Sequence, residues 1–179
     1  MGGLKPLHPY QGRPLVESVI RALKPQSMRL ALNVGTQNSG LFIPLSSLNT
    51  GLPLIYDERE VAERGPLSGV LSALKWARSE GQSHVFTCPC DMPELGDDVV
   101  LNLVSALQDQ HIIYYKGKRD HPLCALWSVR VIEPLETALR AVTPNEGLAV
   151  MRFMKNIDFS HIPIVDETQF LNLNKGQTT

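Results

Sequence analysis

Asp91 stands in Pro89-Cys90-Asp91-Met92-Pro93, directly after the apolar run His84-Val85-Phe86-Thr87-Cys88. A carboxylate just beyond the C-terminal end of a strand in an open α/β sheet faces the crevice where such folds bind ligands. Pro93 disfavours the helical region for Met92, so the acid is expected on a fixed loop rather than in a helix. That position suits a Mg²⁺ ion carrying phosphate oxygens, because Mg²⁺ takes one or two carboxylates and leaves its other positions to phosphates and water. An isolated Asp beside a proline is otherwise a turn cap. The choice between the two rests on the company Asp91 keeps.

Lys5, after two glycines, is placed to set a mobile ammonium against phosphate oxygens, although most lysines near a terminus are simply solvated. Gly65-Pro66-Leu67-Ser68-Gly69 reads as a helix start: Pro66 fits the first helical position, where its missing N–H costs nothing. Gly69 lets another group approach the first turn, whose free amides favour an anion or a polar base edge. Taken alone, Gly-Pro also merely punctuates a loop. Asp57 closes a short strand candidate, and contacting a ribose or base and capping a turn are equally good readings of it. Asn172 and Asn174 alternate with Phe170, Leu171 and Leu173, which puts both amides on one face of an expected strand. His121, before Pro122, is a candidate for orienting a phosphate, against the commoner structural role of such a histidine.

The elements that must hold these residues follow from periodicity. Leu15, Val16, Val19, Ile20 and Leu23 share a helical face that ends before Pro25. Residues 28–34 alternate like a strand and run into a Gly/Asn/Ser-rich turn region, 35–40. Further strands are expected at 53–56, 83–88, 111–115 and 122–127. Helices are expected from Leu67 to Leu74, from Val99 to Leu107, and at 129–142 and 147–155. This alternation predicts an α/β fold with three layers and a mainly parallel, Rossmann-like sheet, in which a late strand runs antiparallel. At 179 residues, one domain spanning 1–179 is expected.

Composition removes several classes. A net charge of -1 leaves no footprint for nucleic acid or an anionic membrane, so phosphate binding must come from local groups. No apolar run reaches membrane-spanning length and no apolar signal region opens the chain, so no membrane partner and a cytoplasmic location are expected. Cys88, Cys90 and Cys124 are too few and too irregular for a disulfide framework, and they make a poor zinc pattern. Reduced thiols are the expectation.

Together these residues resemble the molybdenum cofactor guanylyltransferases, of the nucleotidyltransferase fold. Met1-Gly2-Gly3-Leu4-Lys5-Pro6-Leu7 and Gly12-Arg13-Pro14-Leu15 are similar to the tail of that family's opening pattern, Leu-Ala-Gly-Gly-x-Ser-x-Arg-Met-Gly-Gly followed by a lysine, a Gly-Lys/Arg-Pro-Leu and a helix. Gly65-Pro66-Leu67-Ser68-Gly69 resembles its Gly-Pro-Leu-Ala-Gly, and Pro89-Cys90-Asp91-Met92-Pro93 matches its Pro-Cys-Asp-Met-Pro. His121-Pro122, Ala125-Leu126-Trp127 and Phe170-Leu171-Asn172-Leu173-Asn174 follow in family order.

The resemblance implies transfer of GMP from GTP to the molybdopterin-bound molybdenum cofactor, with pyrophosphate released. Asp91 would hold Mg²⁺ and Lys5 would neutralise the triphosphate. Asp57, Gly65 and Gly69 would lie along the guanine and ribose, and Asn172 and Asn174 would face the second substrate. Other cofactor-biosynthesis or molybdoenzyme-maturation proteins are further candidate partners.

Two departures from the pattern matter. The sequence begins at the Met of the family's Arg-Met-Gly-Gly, so the domain is expected to be truncated at its N-terminus. The first strand, the glycine-rich phosphate loop and its arginine would then be absent, with unpaired strand edges and weak catalysis as the result. Lys175-Gly176-Gln177-Thr178-Thr179 departs from the family's closing Thr-Pro-Glu-Asp/Glu-Leu. The alternatives are a cytidylyltransferase of the same fold, a non-catalytic nucleotide- or pterin-binding protein, and a nucleotide-sugar glycosyltransferase. The last would normally carry Asp-x-Asp, which Asp91-Met92-Pro93 does not.

Overall fold

Ile112, Ile113, Tyr114 and Tyr115 are all buried, yet they divide between two separate apolar clusters. Ile112 and Tyr114 face one way and Ile113 and Tyr115 the other, as the twofold period of a strand requires. A strand buried on both faces must have helices above and below it. The computed structural model, which describes residues 5–36, 48, 50–143 and 146–172, has that arrangement.

The strands are β1 (Pro9–Tyr10), β2 (Arg13–Pro14), β3 (Leu32–Asn33), β4 (Leu54–Ile55), β5 (His84–Thr87), β6 (Ile112–Lys116), β7 (Asp120–Ser128) and β8 (Phe159–Pro163). The helices are α1 (Leu15–Leu23), α2 (Pro66–Ser79), α3 (Val99–Ala106), α4 (Ile132–Arg140) and α5 (Val150–Met154). The main sheet has the order β5-β7-β6-β8. β5 and β6 both run antiparallel to β7, and β8 runs parallel to β6, so β7 alone opposes the others in this sheet. β3 and β4 form a separate parallel pair, and β1 and β2 a short hairpin. The expected α/β fold with three layers, a mainly parallel sheet and one late antiparallel strand is present.

On one face, Leu67, Val70, Leu71 and Leu74 of α2 and Ile132, Leu135 and Leu139 of α4 pack against Ile112, Tyr114, Ala125 and Trp127. On the other, Val19 and Leu23 of α1 and Val99 and Leu103 of α3 pack against Ile113, Tyr115, Cys124 and Leu126. α2 also touches β3 and β4, so this one helix ties the small parallel pair to the main sheet. Each fully buried Leu among these contributes roughly 1.5–3 kcal/mol of transfer free energy.

Several expected elements are shorter than the sequence pattern. Residues 28–34 yield only Leu32–Asn33 as strand, and 129–142 divides into a 3₁₀ turn at Val129–Val131 followed by α4. The strand expected through Asn172 is absent: a 3₁₀ turn covers Glu167–Phe170, and Leu171 and Asn172 belong to no regular element. Asp166 causes this, because its carboxylate accepts from the Thr168 amide at 2.9 Å and starts a helical turn where a strand would need an extended chain.

One irregularity positions the site. The pairing of β6 with β7 shifts between Tyr114 and Tyr115: Tyr114 lies opposite Ala125, but Tyr115 lies opposite His121. Pro122, Leu123 and Cys124 are left without partners on β6. A proline cannot donate to a ladder, so a bulge is where β7 tolerates Pro122.

Candidate functional site

Asp91 follows β5 by four residues, in a turn and not a helix, as Pro93 requires. Its side chain is buried, at 7% exposure for the residue. Oδ2 accepts from Lys5 Nζ, which pairs the first residue of the N-terminal 3₁₀ turn with an acid far along the chain. Oδ1 has no hydrogen-bond partner among the described residues. A buried carboxylate oxygen without a donor is costly unless a cation or ligand completes it. A hard oxygen of this kind fits Mg²⁺.

The loop itself is anchored through β5. Thr87 Oγ1 donates to the Leu123 carbonyl at 2.8 Å and accepts from Trp127 Nε1 at 2.9 Å. Both partners lie on β7, so the strand that carries the bulge also fixes the start of the Asp91 loop.

Asp57 belongs to a second cluster. Its Oδ1 accepts from Asn33 Nδ2 at 2.9 Å and from Ser72 Oγ at 3.4 Å, and its amide donates to the Gly35 carbonyl at 2.9 Å. Burial raises the Asp57 pKa above its usual value, and the hydrogen bonds from Asn33 and Ser72 only partly oppose this. Gly69 belongs here for a steric reason: a Cβ at that position would lie 3.3 Å from Asn33 Oδ1. Asn33 is thus held between Asp57 and the first turn of α2, and it also accepts from the Gly35 amide at 3.0 Å. Neither Asn33 nor Ser72 was expected at the site. Asn33 sits at the end of a strand pattern beside a glycine, which was the signal available for it.

Gly65 is set apart from that pair. It precedes α2 with φ at 93°, a backbone that strains any other residue, and its carbonyl accepts from the Ser68 amide at 3.1 Å. A Cβ there would face the backbone of Leu148 at 3.7 Å. Pro66 does occupy the first turn of the helix.

A cavity of about 210 Å³ opens beside the Asp91 loop, lined by Pro89 and Met92 from that loop, by Arg119 to Cys124, by Val150 and by Asn172. The bulge of β7 supplies most of its wall. His121 is buried at 6% exposure, its Nε2 has no partner, and its ring centroid lies 5.4 Å from that of Phe170. Burial, then the charge of Arg119, lowers its pKa below the usual histidine value and so favours the neutral ring. Asn172 Oδ1 is likewise buried without a partner. Asn174 lies outside the described residues.

The site therefore joins Lys5 to Asp91, Asp57 to Gly69 through Asn33, and His121 and Asn172 in one cavity with the Asp91 loop. All three cysteines are free thiols, and no described helix is long and apolar enough to cross a membrane.

The family model of the MobA-like NTP transferase domain matches residues 1–157. The chain belongs to this family. It is an enzyme of the nucleotidyltransferase class, and the resemblance carried by its motifs is borne out by its relatives. A molybdenum cofactor guanylyltransferase of Cereibacter sphaeroides is 36% identical over 91% of this chain and 78% of its own length. One from Mannheimia succiniciproducens is 30% identical over 97% of this chain and 87% of its own. Among solved structures, the molybdopterin-guanine dinucleotide biosynthesis protein A of Archaeoglobus fulgidus superposes with a TM-score of 0.73 at 17% identity, covering 96% of this chain and 85% of that one. At that identity the likeness speaks for the fold alone.

Proposed function

We propose that the protein transfers GMP from GTP to the molybdopterin-bound molybdenum cofactor and releases pyrophosphate, with Mg²⁺ as the metal. The observation that carries this reading is the buried Asp91 carboxylate, with one oxygen on Lys5 and the other unpartnered among the described residues, on a loop that lines a cavity. The relatives' shared designation as molybdenum cofactor guanylyltransferases supplies the substrate class.

An oxygen of the cofactor's terminal phosphate attacks the α-phosphorus of GTP in line. The bond between the α-phosphorus and the bridging oxygen breaks, and pyrophosphate leaves with that oxygen and its electron pair. Little covalent chemistry is asked of the protein, so positioning and charge neutralisation carry the rate. Asp91 would hold Mg²⁺ through its unpartnered Oδ1, and the bound ion would supply positive charge to offset the charge developing on the phosphoryl oxygens. Lys5 moves from Asp91 toward the triphosphate when the nucleotide enters, exchanging one anionic partner for another. Asp57, Gly65 and Gly69 lie along the guanine and ribose, and Asn33 fixes the Asp57 carboxylate there. Asn172, with Asn174, faces the pterin, and His121 stands in the same cavity wall. A cytoplasmic location, with molybdoenzyme-maturation proteins as the partners that take the product, goes with this reading.

Replacing Asp91 with Asn keeps the shape of the side chain and removes its charge. Product formation falls by about 10² or more, the usual effect of losing a transition-state charge partner. GTP binding by calorimetry weakens only modestly. Unchanged turnover in Asp91→Asn would remove this carboxylate from the metal site.

A further inference from the structure

The floor of the cavity holds a group of side chains that phosphate chemistry does not use. Cys124 is fully buried on β7, and its Sγ lies 3.1 Å from Met92 Sδ and 3.9 Å from Cys88 Sγ. Cys88 follows β5 directly. It stands opposite Cys124 because the ladder pairs Thr87 with Ala125 one step earlier. Met92, 2% exposed, reaches the same point from the other end of the Asp91 loop. The Cys124 sulfur thus contacts a sulfur from each end of the Asp91 loop, and two of the three residues, Met92 and Cys124, line the cavity.

We propose that these three sulfurs form a binding site for a soft monovalent cation, Cu(I), separate from the hard-metal position at Asp91. Thiolate and thioether donors together select Cu(I), whereas Mg²⁺ takes oxygen. Zinc is disfavoured on the donor set, since its sites use thiolate, imidazole and carboxylate and not thioether. Among the described residues no group of three His, Cys, Asp or Glu side chains is placed to hold a metal, so only the methionine completes a trio.

The spacing also suits the ion. Three sulfurs around a cation at about 2.3 Å each lie about 4 Å apart. The Cys88–Cys124 separation of 3.9 Å already has this value. Met92 must withdraw by roughly 1 Å, which its unbranched thioether allows. Binding displaces two protons, from the Cys88 and Cys124 thiols, because the thiolate and not the thiol is the metal ligand, and leaves a Cu(I) bis-thiolate centre with Met92 as its third donor. Entry is through the cavity, past His121 and Pro122.

The site stands whether or not the nucleotidyl-transfer reading holds, because its test reads metal and not turnover. The reduced chain is titrated anaerobically with Cu(I) against bathocuproine disulfonate, and the copper retained per chain is measured. One equivalent is expected to be retained. Cys124→Ser, and separately the volume-matched Met92→Leu, should each weaken retention at least tenfold. Cys90→Ser should leave it unchanged, since Cys90 packs with the Val16–Val34 cluster instead. Absorption-edge spectroscopy of the loaded protein should show sulfur donors only. Failure to retain copper would overturn the proposal, as would equal losses in Cys90→Ser and Met92→Leu. Cys88–Cys124 disulfide formation without retained metal would overturn it too.

Discussion

Asp57 carries two opposing demands. Burial penalises its charged form, while a role against a ribose or base calls for a fixed acceptor. Its folded pKa is raised, so both forms are equally neutral below the unfolded value near 3.9 and no penalty exists there. As pH rises through the unfolded and then the folded value, the folded state must carry a charge it disfavours, and stability is lost. Asp57→Asn removes the ionisation and keeps an acceptor for Asn33. Its melting temperature is therefore expected at or above wild type near neutral pH, with the gap closing below about pH 4. GTP affinity should fall in the same variant. A variant less stable at neutral pH, with the deficit unchanged by acid, would show that the hydrogen bonds outweigh burial. Gly69→Ala tests the neighbouring contact. Alanine is the better helix former by roughly 0.5–1 kcal/mol, so the fold should not weaken. The added Cβ, 3.3 Å from Asn33 Oδ1, must nevertheless shift that amide slightly and so disturb its hydrogen bond to Asp57. Nucleotide affinity is predicted to drop while the melting temperature holds or rises, which thermal melts and calorimetry on one preparation will check.

At the scale of elements, α2 matters most, because it presents its first two turns to the Asp57 cluster and its apolar face to the main sheet. Leu71 is fully buried there, and Leu71→Ala is expected to cost about 2–5 kcal/mol in denaturant unfolding. Leu101 on α3 is 63% exposed, and Leu101→Ala should stay within about 0.5 kcal/mol. Equal losses at the two would contradict the layer assignment. These elements were legible in sequence to different degrees. Gly65-Pro66 marked the start of α2 because proline fits the first helical position and the apolar spacing of Leu67, Val70, Leu71 and Leu74 follows it. The face of α1 was plain from Leu15, Val16, Val19 and Leu23, all of which are buried. The strand expected around Asn172 failed because an alternating pattern does not register a local competitor, here the Asp166 carboxylate on the Thr168 amide. The β7 bulge was also invisible: it depends on which residue of β6 meets His121, a long-range choice that no local spacing encodes.

For the whole molecule, the same limit separates what the sequence told about the site from what it did not. Asp91 and Lys5 were legible as chemistry, and the fold brings them together. The cavity that His121, Asn172 and the Asp91 loop share required three distant segments to meet. Its sulfur floor required a fourth observation, the cross-strand register of Cys88 and Cys124. With a net charge of -1, the molecule offers no general attraction for a triphosphate, so the local cation Lys5 and a bound divalent ion must supply it. Added Mg²⁺ is accordingly expected to strengthen nucleotide binding modestly and to be required for turnover. The most direct measurement incubates the protein with α-phosphate-labelled GTP or CTP and the molybdopterin-bound cofactor, with and without Mg²⁺, and follows label into the cofactor. Label is expected from GTP, only with Mg²⁺, with pyrophosphate in equal amount. Label from CTP in preference, or transfer from GTP that persists without a divalent ion, would contradict the proposed function.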